Sequence, residues 1–136
     1  YRGGLGAVYE IELLEKEADV FLFGERGRFA PPGVAGGRAA ASNRFRYEQA
    51  DGEREPPMAS KMVGIHLRRG QKVRLETPGG GGYGDPFERE PELVARDVAR
   101  GFVSAQRAAA DYGVAIRDGR VDAAETARLR NREAAE

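Results

Sequence analysis

Cysteine is absent from this 136-residue chain, and so is tryptophan. Without cysteine there is no disulfide framework, no thiolate zinc site and no cysteine nucleophile. The one histidine, His66, has no metal-spaced carboxylates beside it and makes neither a zinc site nor a Ser-His triad. Its place on the polar side of an alternating stretch predicts solvent exposure or edge packing. Net charge is lacking too, since 22 basic residues balance 22 acidic ones. No field of one sign points to nucleic acid or to an anionic membrane as partner. No apolar run approaches the roughly 20 residues of a membrane span, and no signal peptide is visible, so a cytoplasmic setting is expected. Aromatics are sparse at 8%, whereas glycine is abundant at 19 residues. That combination predicts extensive ordered loop, or a core completed by other polypeptide. The chain starts at Tyr1 inside a glycine-rich motif, Arg2-Gly3-Gly4-Leu5-Gly6, as if cut from something longer.

The stretch Thr77-Pro78-Gly79-Gly80-Gly81-Gly82-Tyr83-Gly84-Asp85-Pro86-Phe87 divides the chain. Its glycines have too much backbone freedom to lose for a helix or a central strand, and its two prolines fix φ on either side. Such a pinned loop can turn tightly or approach another chain or a ligand closely. Before it, period-2 alternation over Ala7–Leu13 predicts a half-buried strand. The apolar run Asp19–Phe23 reads as a second strand, buried on both faces and joined to the first as an antiparallel hairpin. Gly24–Ala41 is a long irregular passage. Arg44–Tyr47 reads as a short strand and Asp51–Pro57 as a charged turn. Lys61–Leu67, then Val73 and Leu75, give the clearest hairpin pattern of the chain.

After the glycine loop, Pro91 opens a helix that Gly101 closes, and Ser104 caps a second that ends at Gly113. Arg117-Asp118-Gly119-Arg120 predicts a small hairpin with a type I′ turn. Asp122 and Glu125 cap a last helix running to about Arg132, polar nearly all round, which would fray or dock on a partner. The fold class is α+β: a β-rich region over 1–84 and a short helical region over 85–136 of the same domain.

Gly79, Gly81 and Gly84 formally satisfy G-x-G-x-x-G after a strand. A dinucleotide fold needs a helix starting inside that motif, and here Asp85-Pro86 intervenes. No phosphate-binding P-loop pattern exists. Arg2-Gly3-Gly4 resembles a single RGG box, but such boxes repeat, and the balanced charge favours a backbone-geometry role. Arg26 and Arg28 sit in the long irregular passage, either in a functional loop or in a solvent loop with incidental arginines. Asp85 can cap a turn or hold a cation, and capping is the commoner use of Asp before Pro. No acid, base or metal ligands cluster, so no catalytic residue and no metal ligand is assigned.

Taken together, these segments resemble the C-terminal part of the hydantoinase B/5-oxoprolinase family. The resemblance rests on Tyr1-Arg2-Gly3-Gly4-Leu5-Gly6, Phe21-Leu22-Phe23-Gly24-Glu25-Arg26 with Arg28-Phe29, and Gly33-Val34-Ala35-Gly36-Gly37. Ser60-Lys61, the run Leu75–Pro86 and Asp111-Tyr112-Gly113-Val114 complete it. The resemblance implies one half of an ATP-dependent assembly whose partner is an A-type subunit or domain with an actin-like nucleotide fold. It implies opening of small cyclic amides such as hydantoins or 5-oxoproline, with related members carboxylating ketones. ATP and Mg would be bound by the partner, and a divalent metal, where present, by His and Asp ligands upstream of this region. This segment would bind no cofactor itself. Inward-facing amides of Gly79, Gly80, Gly81, Gly82 and Gly84, with Arg2, Gly3, Gly4, Arg26, Arg28 and Asp85, are the candidate site for a phosphorylated or oxyanionic intermediate. A purely structural docking module for the A-type partner is the alternative.

Overall fold

The computed structural model describes residues 1–133, with side-chain surroundings through Asn131. It resolves into two compact units. The first comprises residues 2–34 and 38–82; the second comprises Tyr1, residues 35–37 and the chain from Tyr83 onward. As expected, antiparallel strands precede three short helices, an α+β fold.

The first unit is a small two-sheet sandwich. Strands β1 (Val8–Glu12), β6 (Lys72–Glu76), β3 (Arg44–Gln49) and β4 (Gly52–Arg54) form one sheet in the order β1-β6-β3-β4. Strands β2 (Glu17–Phe23) and β5 (Lys61–Arg68) form the other. Phe45, Tyr47 and Val73 from the first sheet meet Leu22, Ile65 and Leu67 from the second in one buried cluster. Each such side chain contributes about 1.5–3 kcal/mol by leaving water.

Both expected hairpins are absent. β1 pairs with β6 rather than β2, and β5 pairs with β2 rather than β6. The connections that looked like hairpin turns are corners, each carrying the chain from one sheet to the other. Gly70, at φ 84°, makes one corner. The two corners are stitched together by Leu13 N–H to Gln71 O (3.0 Å), Gly70 N–H to Leu13 O (2.8 Å) and Arg69 N–H to Lys16 O (3.1 Å). Local alternation cannot distinguish a corner from a hairpin, because either arrangement buries the same residues.

Nor is β2 buried on both faces: Phe21 and Phe23 are 61% and 76% exposed. Opposite Phe21, β5 carries one extra residue between Met62 and Ile65, with Gly64 at φ 69°. This bulge shifts the strand's phase, so Met62 and Ile65 both reach the core while Val63 faces out. His66 also lies outside, its Nδ1 3.0 Å from Asp19 Oδ1.

The sandwich is unequal. Tyr9 and Ile11 stand opposite Leu75 and Val73 in the β1–β6 register. They remain 56% and 63% exposed, because the sheet facing them has only two strands.

In the second unit the caps read from sequence are in place. Asp85 Oδ1 accepts from Phe87 N–H (2.8 Å) and opens a 3-10 turn over Pro86–Glu88. Pro91 starts α1 (Pro91–Ala99), and Gly101 follows it at φ 73°. Ser104 Oγ accepts from Arg107 N–H (3.1 Å) at the start of α2 (Ala105–Tyr112), which ends on Gly113 at φ 59°. β7 (Ile116–Arg117) and β8 (Arg120–Val121) close around Asp118 and Gly119, both at positive φ as a type I′ turn requires. Asp122 Oδ1 accepts from Glu125 N–H (3.1 Å) beneath α3 (Ala123–Glu133).

The core of this unit is Val94, Ala108 and Val114. Polar α3 docks on its own unit through two side chains. The buried Thr126 hydroxyl accepts from Ala115 N–H (3.0 Å). Arg130 donates to the carbonyls of Arg89 (2.6 Å) and Tyr112 (3.3 Å). Arg89 in turn pairs with buried Asp97 at 2.7 Å and lies over the Tyr112 ring. Among the described residues, no helix is long and apolar enough to cross a membrane.

Charge networks tie the four-stranded sheet together. Arg74 and Arg46, both hydrogen-bonded to Glu76, hold its carboxyl below the ordinary glutamate value of 4.5. Lys72, with Arg74, does the same for Glu10. Depressed carboxyls contribute stability that is complete above the unfolded value and is lost as pH falls through the folded one. Melting temperature should therefore drop as pH is lowered past about 4.5. Glu76→Gln should flatten that drop, as read by circular dichroism; identical slopes for variant and wild type would sever the link.

Candidate functional site

Beyond Val8 and Glu76 the β1–β6 ladder continues into the two glycine segments, and there it tightens. Thr77 N–H donates to Ala7 O (2.8 Å) and Gly80 N–H to Gly4 O (2.9 Å). The Thr77 hydroxyl accepts from Ala7 N–H at 2.8 Å. A Cβ on Gly3 would stand 2.0 Å from Gly80 O, one on Gly6 2.1 Å from Thr77 O, and one on Gly79 2.4 Å from Gly4 O. A third segment closes over the same loop. Gly82 N–H donates to Arg38 O and Val34 N–H to Gly82 O, each at 2.9 Å. A Cβ on Gly81 would sit 2.0 Å from Pro32 O. Three stretches of main chain thus form a clasp, with backbone packed where side chains would normally separate it. The amides of Gly80 and Gly82 are engaged within this clasp.

The second feature is a cleft of about 640 Å³ in the same unit, lined by Gly24–Phe29 and Pro57–Lys61. Asn43, 8% exposed, fixes its floor. Asn43 Nδ2 donates to Ser60 Oγ (3.1 Å) and Glu25 O (3.2 Å), while its main-chain N–H donates to Arg26 O (2.9 Å). Gly24 N–H donates to Ser60 O at 2.7 Å. Gly27 passes so close to Ser60 that a Cβ would come within 2.2 Å of its Oγ. Held at these points, Arg26 adopts φ 67°, a left-handed conformation that ordinary side chains rarely take. Glu25 is paired with Lys61 at 2.9 Å, which holds its carboxyl below the usual range. The Arg28 guanidinium lies 5.9 Å from the Phe29 ring centre.

The candidate residues read from sequence do not gather in one place. Gly3, Gly4, Gly79, Gly80, Gly81 and Gly82 meet in the clasp, and Arg2 Nη1 donates to Gly3 O (3.0 Å) at its start. Arg26 and Arg28 line the cleft, whose walls include no clasp residue. Gly84, at φ 75°, and Asp85 belong to the other unit. Sequence reasoning missed Asn43, whose partners lie 17 and 18 positions away. Nothing local in Ala41-Ser42-Asn43 announces it. Among the described residues no three His, Cys, Asp or Glu side chains converge as a metal site. The donors do not fit the metal that the resemblance places upstream, and no step is routed through one here.

The family described as hydantoinase B/oxoprolinase matches residues 1–86 of the chain. The chain belongs to this family. The B-type component of a D-/L-hydantoinase from Pseudomonas sp. (strain NS671), so named by similarity, is 31% identical over 118 residues, 87% of this chain and 20% of its own length. The beta component of the caprolactamase of Pseudomonas jessenii is 34% identical over 131 residues, 93% of this chain and 22% of that protein. The crystal structure of the ATP-dependent caprolactamase from that organism superposes with a TM-score of 0.76 at 34% identity, covering 96% of this chain and 23% of that one. The nucleotide-free structure of acetone carboxylase shares the fold, with a TM-score of 0.70 at 24% identity over 86% of this chain and 20% of its own. The chain spans about a fifth of the length of the relatives it matches.

The clasp makes a position-specific prediction. Gly81→Ala should destabilise the chain by roughly 2 kcal/mol or more, because the new methyl meets a fixed carbonyl. Gly4→Ala, with nothing within 4 Å of its Cβ, should stay within about 0.5 kcal/mol of wild type. Urea denaturation of the two variants measures the contrast.

Proposed function

We propose that this chain is a segment of a hydantoinase B-type subunit in an ATP-dependent assembly that hydrolyses cyclic amides. The observation that carries this reading is the correspondence with a caprolactamase chain over 96% of the present residues at 34% identity. A lactam carbonyl is resonance-stabilised and a poor electrophile. ATP, held by an A-type partner, supplies activation of the carbonyl oxygen as a leaving group before water attacks. The residues described here hold the frame: the clasp locks three stretches of backbone, and the cleft presents Arg26 and Arg28 at its rim. A ketone carboxylase is the variant of this reading that the acetone carboxylase fold likeness brings in.

A second reading has its own support. Tyr9, Ile11, Phe21 and Phe23 are exposed apolar side chains on an otherwise ordered sandwich. Such a surface suits a docking module that organises the assembly without touching the substrate.

The test compares B-type subunits carrying or lacking this segment, each with the A-type partner, ATP and a lactam. Loss of lactam-dependent ATP hydrolysis with the complex intact on size exclusion supports the first reading. Loss of both supports docking. The chain alone should open neither hydantoin nor 5-oxoproline, and unaided turnover would refute both readings.

A further inference from the structure

The cleft between Gly24–Phe29 and Pro57–Lys61 combines three features that no role in the sandwich accounts for. First, Arg26 is held at φ 67°, a conformation that costs roughly 1–2 kcal/mol for a residue with a Cβ. Glycine would take it without strain, and the hydrogen bonds that impose it run to the main chain of residues 25 and 26, not to the arginine head group. Second, the guanidiniums of Arg26 and Arg28 form no ion pair with a carboxylate among the described residues. The one acid in the lining, Glu25, is engaged by Lys61 at 2.9 Å. The cleft therefore carries an excess of two positive charges two positions apart on one pinned loop. Third, the opposite wall is apolar and open: Phe29, Pro57 and Met58 face solvent around a volume of about 640 Å³, within the usual range for small-ligand sites.

Strain maintained by its surroundings is characteristic of residues whose side chain is used. A planar guanidinium offers paired N–H donors matched to the two oxygens of a carboxylate or phosphate. We infer that this cleft is a binding site for a small organic oxyanion, a carboxylate or phosphate monoester, with its charged end on Arg26 and Arg28 and its apolar body against Phe29, Pro57 and Met58. Asn43 and Ser60 take no part in contacting the ligand; they are positioning residues that hold the loop. Nothing in the inference depends on which reaction the parent assembly performs.

The experiment is a proton–nitrogen NMR titration of the full chain with phenyl phosphate, with benzoate and with neutral benzamide at matched ionic strength. Saturable shifts confined to the amides of Gly24–Phe29 and Met58–Lys61 are expected for at least one anion, with a dissociation constant of about 1 mM or tighter. Whichever of the two anions saturates identifies the oxyanion as phosphate or carboxylate. Arg26→Gly separates binding from folding. It should weaken the anion about tenfold or more, close to what losing one charge-assisted hydrogen bond implies, while the melting temperature holds or rises as the strain is relieved. The inference is overturned if neither anion saturates in the cleft, if benzamide produces the same shifts, if Arg26→Gly binds as wild type, or if that variant melts lower.

Discussion

Main chain packed against main chain, with no side chain between, is the constraint on which the sandwich depends. At Gly3, Gly6, Gly79 and Gly81 a methyl group would stand 2.0–2.4 Å from a carbonyl oxygen of another segment. A carbonyl in a hydrogen-bonded ladder cannot swing aside as a lysine tip can. The four positions are therefore glycine for one reason, close approach rather than unusual φ. The clasp in turn fixes where β1 and β6 enter their ladder, and so which residues of β6 face Phe45, Tyr47 and Ile65.

The same logic separates the two kinds of glycine in this chain. Gly64, Gly101, Gly113 and Gly119 lie at positive φ, where a bulge, a helix end or a tight turn needs left-handed backbone. Gly113 needs both, because a Cβ there would also strike the Phe87 ring at 2.7 Å. Arg26 occupies the conformation of the second kind without being glycine. That mismatch between backbone and residue type is what sets its loop apart from the other turns.

Much of the helical half was legible because its signals are local. Pro91, Ser104, Gly113, the Asp118-Gly119 turn and Asp122 each act within about four residues of themselves, which is the reach of a cap or a tight turn. The strands were found, but their partners were not. Whether Leu67 and Val73 face each other in one sheet or across two depends on contacts far apart in sequence, and alternation is silent about that. The bulge at Gly64 misled for a related reason: one added residue inverts the phase, so Val63 read as core and Met62 as surface. Asn43 was invisible since its work is done on carbonyl and hydroxyl groups of distant loops. Arg26 and Arg28 could be named from the chain, but not the cleft that joins them to Met58 and Lys61.

The outermost strand has a further consequence. β1 pairs on one side only, and Val8, Tyr9 and Ile11 are all more than half exposed. An edge of this kind is a template on which identical strands can add without limit. Glu10, Glu12 and, just beyond the strand, Glu15 interrupt the apolar sequence and would repel a copy of themselves in register. Colloidal behaviour is thus entrusted to a few carboxylates. In acidic buffer, where these lose their charge, the isolated polypeptide is poised to pass from dispersed monomer to ordered aggregate.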